Sequence, residues 1–247
     1  MIGWITKDAF QSGYYEQALK ITRTALAVVT SMGAVMMSRI GHYHASKEES
    51  KLNSALLESY NFVWFLSIPI CFGLMAVSNN IVPWFFGEEY GEVSLLMKVL
   101  APLVVFIGIS NVTGIQYLVP VGRQRDYTLS VISGSVVNLI LNSILIPMYQ
   151  SLGAAIASIC AEFTVMIVQL YIIRTKISIS SILKLSSKYF VAGITMFMSL
   201  SLIGKYLKPS ITSTLLQVVI GFVIYTLTLL LEKDRMAKEF LDIRKKD

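Results

Sequence analysis

Charge is scarce in this sequence. Only 15% of its 247 residues are Asp, Glu, Lys or Arg, against 55% apolar, whereas a water-soluble domain carries about a quarter charged residues. Cysteine is rare too: Cys71 and Cys160 each sit inside an apolar run. That excludes a disulfide framework and reads as two small buried side chains. His42 and His44 stand in a polar stretch with no third ligand nearby, so no metal site is expected. Also missing are a phosphate-binding glycine-lysine loop, a G-x-S-x-G elbow, an H-E-x-x-H helix and carboxylate pairs at metal-ligand spacing. No catalytic residue and no cofactor is expected. The opening MIGWITKDAFQS has no charged start, apolar core or cleavage site of a signal peptide. Residues 1–12 read as the end of a preceding helix and an outer loop, with Met1 an internal methionine of a longer protein.

What the chain has instead is long apolar runs, and a mean hydropathy of +0.65. Runs near 13–40, 56–77, 93–119, 127–146, 153–173, 189–207 and 212–231 each approach or exceed the twenty or so residues that cross a bilayer as a helix. The expected fold is all-α: a polytopic membrane helical bundle of about seven transmembrane helices. Five of these fall within 13–175 and two within 176–231, followed by a charged cytoplasmic tail at 232–247. Between the runs, His42 to Asn53 reads as a polar loop, PWFF at Pro83 to Phe86 as an interfacial anchor, and Met148 to Leu152 as a tight turn. Arg174, Lys176, Lys184 and Lys188 are assigned to one further loop.

Lysine and arginine counts orient the bundle. The first, third and fifth connections and the tail hold fifteen, the opposite side only Lys7, Lys98, Lys205 and Lys208, beside Glu88, Glu89 and Glu92. The N-terminus is therefore expected outside and the C-terminus in the cytoplasm. Membrane topology accounts for the net charge of +6, and no nucleic-acid partner is expected.

A few polar residues remain inside the runs. Glu16, Lys20 and Arg23 step by four and three and so share one face of a helix. An ionised group at membrane depth costs roughly 2.5–3.5 kcal/mol on insertion scales, tolerable where that face lines a water-filled cavity. Glu16 and Lys20 can pair with each other, but Arg23 has no acidic residue three or four positions away. Lys20 and Arg23 suit phosphate oxygens or a sugar carboxylate, with Glu16 holding their orientation. Asn138 and Asn142, one turn apart, suit sugar hydroxyls or a neighbouring helix. Glu162, in mid-run, reads either as a proton- or sodium-coupling group or as a structural partner of Lys20 or Arg23.

Several stretches carry a family resemblance: GYYEQALKI, SMGAVMMSRIGHYHA, FLSIPICFGLMAVSNNIVPWFFG, IGISNVTGIQYLVPVGRQRDYTLSV, GSVVNLILNSILIP and GAAIASICAEF. Together they resemble the multidrug/oligosaccharidyl-lipid/polysaccharide exporter superfamily over roughly residues 1–175, and within it the Wzx-type polysaccharide repeat-unit flippases. The resemblance implies the C-terminal lobe of an exporter built as two lobes around a central cavity. It implies a bacterial cytoplasmic-membrane protein that moves undecaprenyl-diphosphate-linked oligosaccharide between leaflets, with Lys20 and Arg23 facing the diphosphate. The expected partners are that lipid-linked substrate, membrane lipid, and the missing N-terminal half or a second copy. Two rival readings stand beside it: an ion-coupled multidrug exporter of the same superfamily, which wants an acidic cavity, and an inactive membrane remnant or partner subunit.

Overall fold

The computed structural model describes residues 1–238. Arg244, Lys245, Lys246 and the rest of the expected tail beyond Lys238 lie outside the described residues. The described chain is helical throughout, with no strand among the described residues. In order come α1 (Ile2–Thr6), α2 (Ala9–Thr30), α3 (Gly33–Ala45), α4 (Glu49–Phe85), α5 (Gly91–Leu100), α6 (Leu103–Asn111), α7 (Gln124–Ile173), α8 (Ile179–Gly204) and α9 (Ile211–Leu231). A single 3₁₀ turn, Glu88–Tyr90, precedes α5, and a π-helical turn, Val112–Leu118, prolongs α6.

Local chemistry sets the ends. Asp8 caps α2 by accepting from the Phe10 amide at 2.8 Å, and the Ser210 hydroxyl does the same for α9 at Ser213, each satisfying a donor the first turn leaves open. Lys7, Lys47 and Lys233 end helices in the left-handed region, the usual way a helix stops. Between α2 and α3, Thr30 and Ser31 turn their hydroxyls back onto carbonyls of the preceding turn, which loosens the helix where the chain bends.

Five helices or joined helix pairs are long and apolar enough to cross a membrane: 9–45, α4, α7, α8 and α9. The pair at 88–118, bent by 41°, passes the same test of length and apolarity when taken together as one span. The fifty-residue α7 is two helices in one, because Gln150 (φ 51°, ψ −125°) breaks it. The chain turns back so tightly there that a Cβ on Gly153 would lie 2.3 Å from the Leu145 carbonyl oxygen. Taking α7 as two crossings gives seven among the described residues.

Boundaries differ from the sequence reading in three places. His42 to Asn53 is mostly helix, and only Ser46–Glu48 separates α3 from α4. Lys184 and Lys188 belong to the first turns of α8, which starts ten residues before the expected 189. Residues 1–12 hold α1 and the capped start of α2. In the first two cases charged and polar residues with ordinary helix propensity extend the helix past the apolar run that marks its membrane portion.

The core gathers on α4. Leu56, Tyr60, Val63 and Ile68 are at most 2% exposed. On one side α4 meets α8 and α9, and on the other α3, α5 and α6. The two arms of α7 pack beyond α6, against α2 and α5. A large share of the remaining surface is hydrocarbon, including Leu129, Ile132 and Ile140 on α7 and Val218, Val219 and Leu227 on α9, as a bilayer requires.

Candidate functional site

Two adjoining cavities open between α2 and the arms of α7, of about 850 and 720 Å³. Both fall in the size range of small-molecule sites. They share Tyr15, Leu19, Arg23, Asn138 and Ser158 along their common wall.

The first cavity takes its charge from α2. Glu16, Lys20 and Arg23 all line it and all are exposed, as one helix face spaced by four and three dictates. The alternative in which Glu16 and Lys20 pair is not formed: among the described residues no carboxylate lies within ion-pair distance of Lys20 or Arg23. Both cations stand unneutralised at the cavity wall, because Glu16 shares their exposed face and is left in water, where a surface pair gains little.

The opposite wall is the first arm of α7. Asn142 donates through Nδ2 to Asn138 Oδ1 at 2.8 Å, so the two amides bond each other rather than a neighbouring helix. Asn142 is 8% exposed and its Oδ1 is buried without a partner. The second arm contributes Ser158, whose hydroxyl shares a 2.8 Å hydrogen bond with Tyr15 and so ties α2 to α7 at the waist between the cavities.

Glu162 lines the second cavity, one turn beyond Ser158, together with Arg23. It makes no ion pair within 4 Å among the described residues. The two carry opposite charge on facing elements, with cavity between them. Lys20 lines only the first cavity.

All six singled-out residues therefore line these two cavities. Sequence reading missed the supports around them. Gln11, 7% exposed, donates to Glu92 Oε2 at 3.0 Å and accepts from the Ser151 amide at 3.2 Å, pinning the tip of the α7 hairpin to α2 and α5. Asn111 also lines the second cavity and accepts from Gln116 Nε2 at 3.1 Å across the π-helical turn, a geometry that recurs at functional sites. Such contacts span up to 140 positions and leave no periodic trace. For Tyr15 spacing offered a signal that was not used, since it lies one and two turns before Leu19 and Arg23.

No group of three or more His, Cys, Asp or Glu side chains suited to a metal ion occurs among the described residues. The site offers two cations, a carboxylate facing one of them, and a wall of amides and hydroxyls. That arrangement can hold an anionic group beside polar hydroxyl-bearing matter; it presents no nucleophile with a paired base.

Known proteins match this chain in part. A family model described as polysaccharide biosynthesis protein covers residues 1–95. The probable low-salt glycan biosynthesis flippase Agl15 of Haloferax volcanii is 26% identical over 148 residues, 59% of this chain and 31% of that protein. The lipid II flippase MurJ of Bacillus subtilis is 24% identical over 142 residues, 56% of this chain and 26% of that one. Among solved structures, a lipid II flippase MurJ in an inward closed conformation superposes with a TM-score of 0.74 at 18% identity, over 90% of this chain and 47% of that chain. The chain thus spans about half the solved flippase or less of the curated relatives, and those relatives are transporters rather than enzymes. In sequence over part of its length and in fold over nine tenths of it, this multi-pass membrane chain is similar to flippases.

Proposed function

We propose that the chain is the C-terminal half of a flippase that carries undecaprenyl-diphosphate-linked oligosaccharide repeat units across a bacterial cytoplasmic membrane for polysaccharide biosynthesis. One observation carries the reading: Lys20 and Arg23 stand unpaired at a cavity wall formed by membrane helices. Desolvated cations are costly in a bilayer, and a diphosphate offsets that cost with charge-assisted hydrogen bonds, bidentate at arginine. Asn138, Asn142 and Ser158 on the facing wall supply donors and acceptors for sugar hydroxyls.

The basic opening helix weighs against a cation exporter of the same superfamily. Transport by rocking needs a second repeat to move against, so a missing N-terminal half or a second copy completes the cavity. The lysine and arginine asymmetry supports an N-terminus outside and a C-terminus in the cytoplasm.

Arg23→Ala in the full gene tests the cavity. Loss of a charged hydrogen-bonding group is worth about 1.5–3 kcal/mol, so repeat-unit export falls roughly ten- to hundredfold with the membrane level of the protein unchanged. Normal export in that variant refutes the assignment. For orientation, Lys47→Cys, in a background lacking Cys71 and Cys160, is expected to be shielded from an impermeant thiol reagent outside intact cells. Strong labelling reverses the topology.

A further inference from the structure

The second cavity holds chemistry that an anion does not use. Glu162 sits half-buried there, in the middle of an apolar arm, and makes no hydrogen bond or ion pair among the described residues. Donors gather on the same cavity from other elements. Asn111, at the end of α6, has its oxygen occupied by Gln116, which leaves its Nδ2 without a hydrogen bond among the described residues. Asn138, on the first arm of α7, likewise gives its Oδ1 to Asn142 and keeps its own Nδ2. Tyr127 lines the cavity too, with a hydroxyl that has no partner among the described residues. Its ring is held against the π-helical turn, since a Cβ on Gly114 would lie 2.7 Å from Tyr127 Cδ2. Around these few polar groups the lining is hydrocarbon, including Leu26, Leu103, Ile107 and Val165. A pocket of that make-up fits a small ring that both donates and accepts hydrogen bonds.

Resting on the diphosphate reading, we propose that the second cavity is a subsite for the first sugar of the cargo, and that Glu162 restricts it to sugars without an acidic group. Arg23 lines both cavities, so a diphosphate held by Lys20 and Arg23 in the first has its sugar bond at the waist between them. The sugar ring then enters the second cavity. There Glu162 accepts from ring hydroxyls, in charge-assisted bonds that offset the cost of a carboxylate at membrane depth. Asn111, Asn138 and Tyr127 donate to the oxygens of the same ring. The carboxylate also keeps the diphosphate itself out of this cavity and repels a uronate, because like charges brought together in a site cost heavily. Arg23 does not relieve that repulsion, being engaged by the diphosphate. A metal ion is the poorer occupant, since the amide Nδ2 groups offered here are donors and cannot ligate a cation.

The test uses the purified full chain in phosphatidylcholine nanodiscs and three probes with the same charge on the diphosphate. Each is farnesyl diphosphate esterified at its far phosphate, with methyl, with glucose or with glucuronic acid. The last two differ only at the sixth carbon, a hydroxymethyl against a carboxylate. On wild type the glucosyl probe is expected to bind about two- to tenfold more tightly than the methyl probe, the range a net hydrogen bond supplies. The glucuronosyl probe should bind about tenfold or more weaker than the glucosyl one. This wild-type comparison does not depend on the folding of any variant. Glu162→Gln should remove most of the gap between the two sugars, and Tyr127→Phe should weaken the glucosyl probe while leaving the methyl probe unchanged. Equal affinity for the glucosyl and methyl probes, a glucuronosyl probe that binds as well as the glucosyl one, or a gap that survives Glu162→Gln overturns the sugar subsite while leaving the anion site standing. A wild-type chain that binds none of the probes, or an Arg23→Ala chain that binds the methyl probe as well as wild type, overturns the site reading and the subsite with it.

Discussion

The two sides of α4 treat polar groups in opposite ways. Towards α8 and α9, most buried polar atoms find partners within the protein. Asn80 donates to Gln217 at 2.8 Å, Trp84 to Thr214 at 2.9 Å, and the Tyr225 hydroxyl to the Phe65 carbonyl at 2.9 Å. Lys188 is ion-paired to the fully buried Asp234, and Tyr189 bonds both Asp234 and Asn61. The cavity side, between α2 and α7, leaves Glu16, Lys20, Arg23 and Glu162 facing open space. A membrane protein closes polar groups where they hold helices together and leaves them open where something must bind. One side is built for cohesion, the other for contact with a guest.

Removing partners on the closed side breaks that contrast most visibly. Asp234→Ala strands the Lys188 ammonium and removes the cap on the Ala237 amide. It is expected to destabilise the chain by about 3 kcal/mol or more, read as the midpoint of unfolding in mixed micelles; an unchanged midpoint contradicts a cohesive role for this cluster. Next comes Gly193, where α8 meets α4. A Cβ there would lie 2.6 Å from Ile68 Cγ2 and 2.8 Å from the Phe72 ring. Gly193→Ala should cost about 1–3 kcal/mol by overpacking, with a matching fall in the same midpoint, and Phe72→Leu in that background should recover part of it.

Asn80→Ala is expected to cost less, about 1–2 kcal/mol, since it leaves the buried Gln217 amide unbonded. Cavity residues close the series. Lys20→Ala and Arg23→Ala should move the midpoint by no more than about 0.5 kcal/mol, although Arg23→Ala is the change that most reduces export. A large stability loss in either would mean that the cavity wall is cohesive after all, and the contrast would fail.

Much of this was legible in the sequence, for a physical reason. Membrane spans need long apolar runs, so the helices long and apolar enough to cross showed themselves. The face carrying Glu16, Lys20 and Arg23 showed itself by helical spacing. The same logic set Asn138 against Asn142. What stayed hidden depends on distance rather than period: Gln11 reaching Glu92 and Ser151, Tyr15 reaching Ser158, and Arg23 and Glu162 lining one cavity from different helices. Helix ends were misjudged where soluble sequence continued a membrane helix, as in His42 to Asn53. The break at Gln150 was placed within the expected turn by Pro147 and the small residues after it, but its one-residue sharpness was not, because left-handed backbone at a glutamine has no compositional marker.

Helix length has a consequence for the lipid around the chain. At 1.5 Å per residue, the 37 residues of α4 reach roughly 55 Å, far beyond a hydrocarbon layer of about 30 Å, whereas the 21 residues of α9 reach only about 32 Å. A thicker bilayer is absorbed by α4 as a small change in tilt or in the length of charged overhang. At α9 there is no spare length, and Leu231 already stands 84% exposed at its end. The bilayer must thin around α9, or its ends must sink, at a fraction of a kcal/mol for each ångström of mismatch. Membrane thickness therefore acts on this molecule through α9 first.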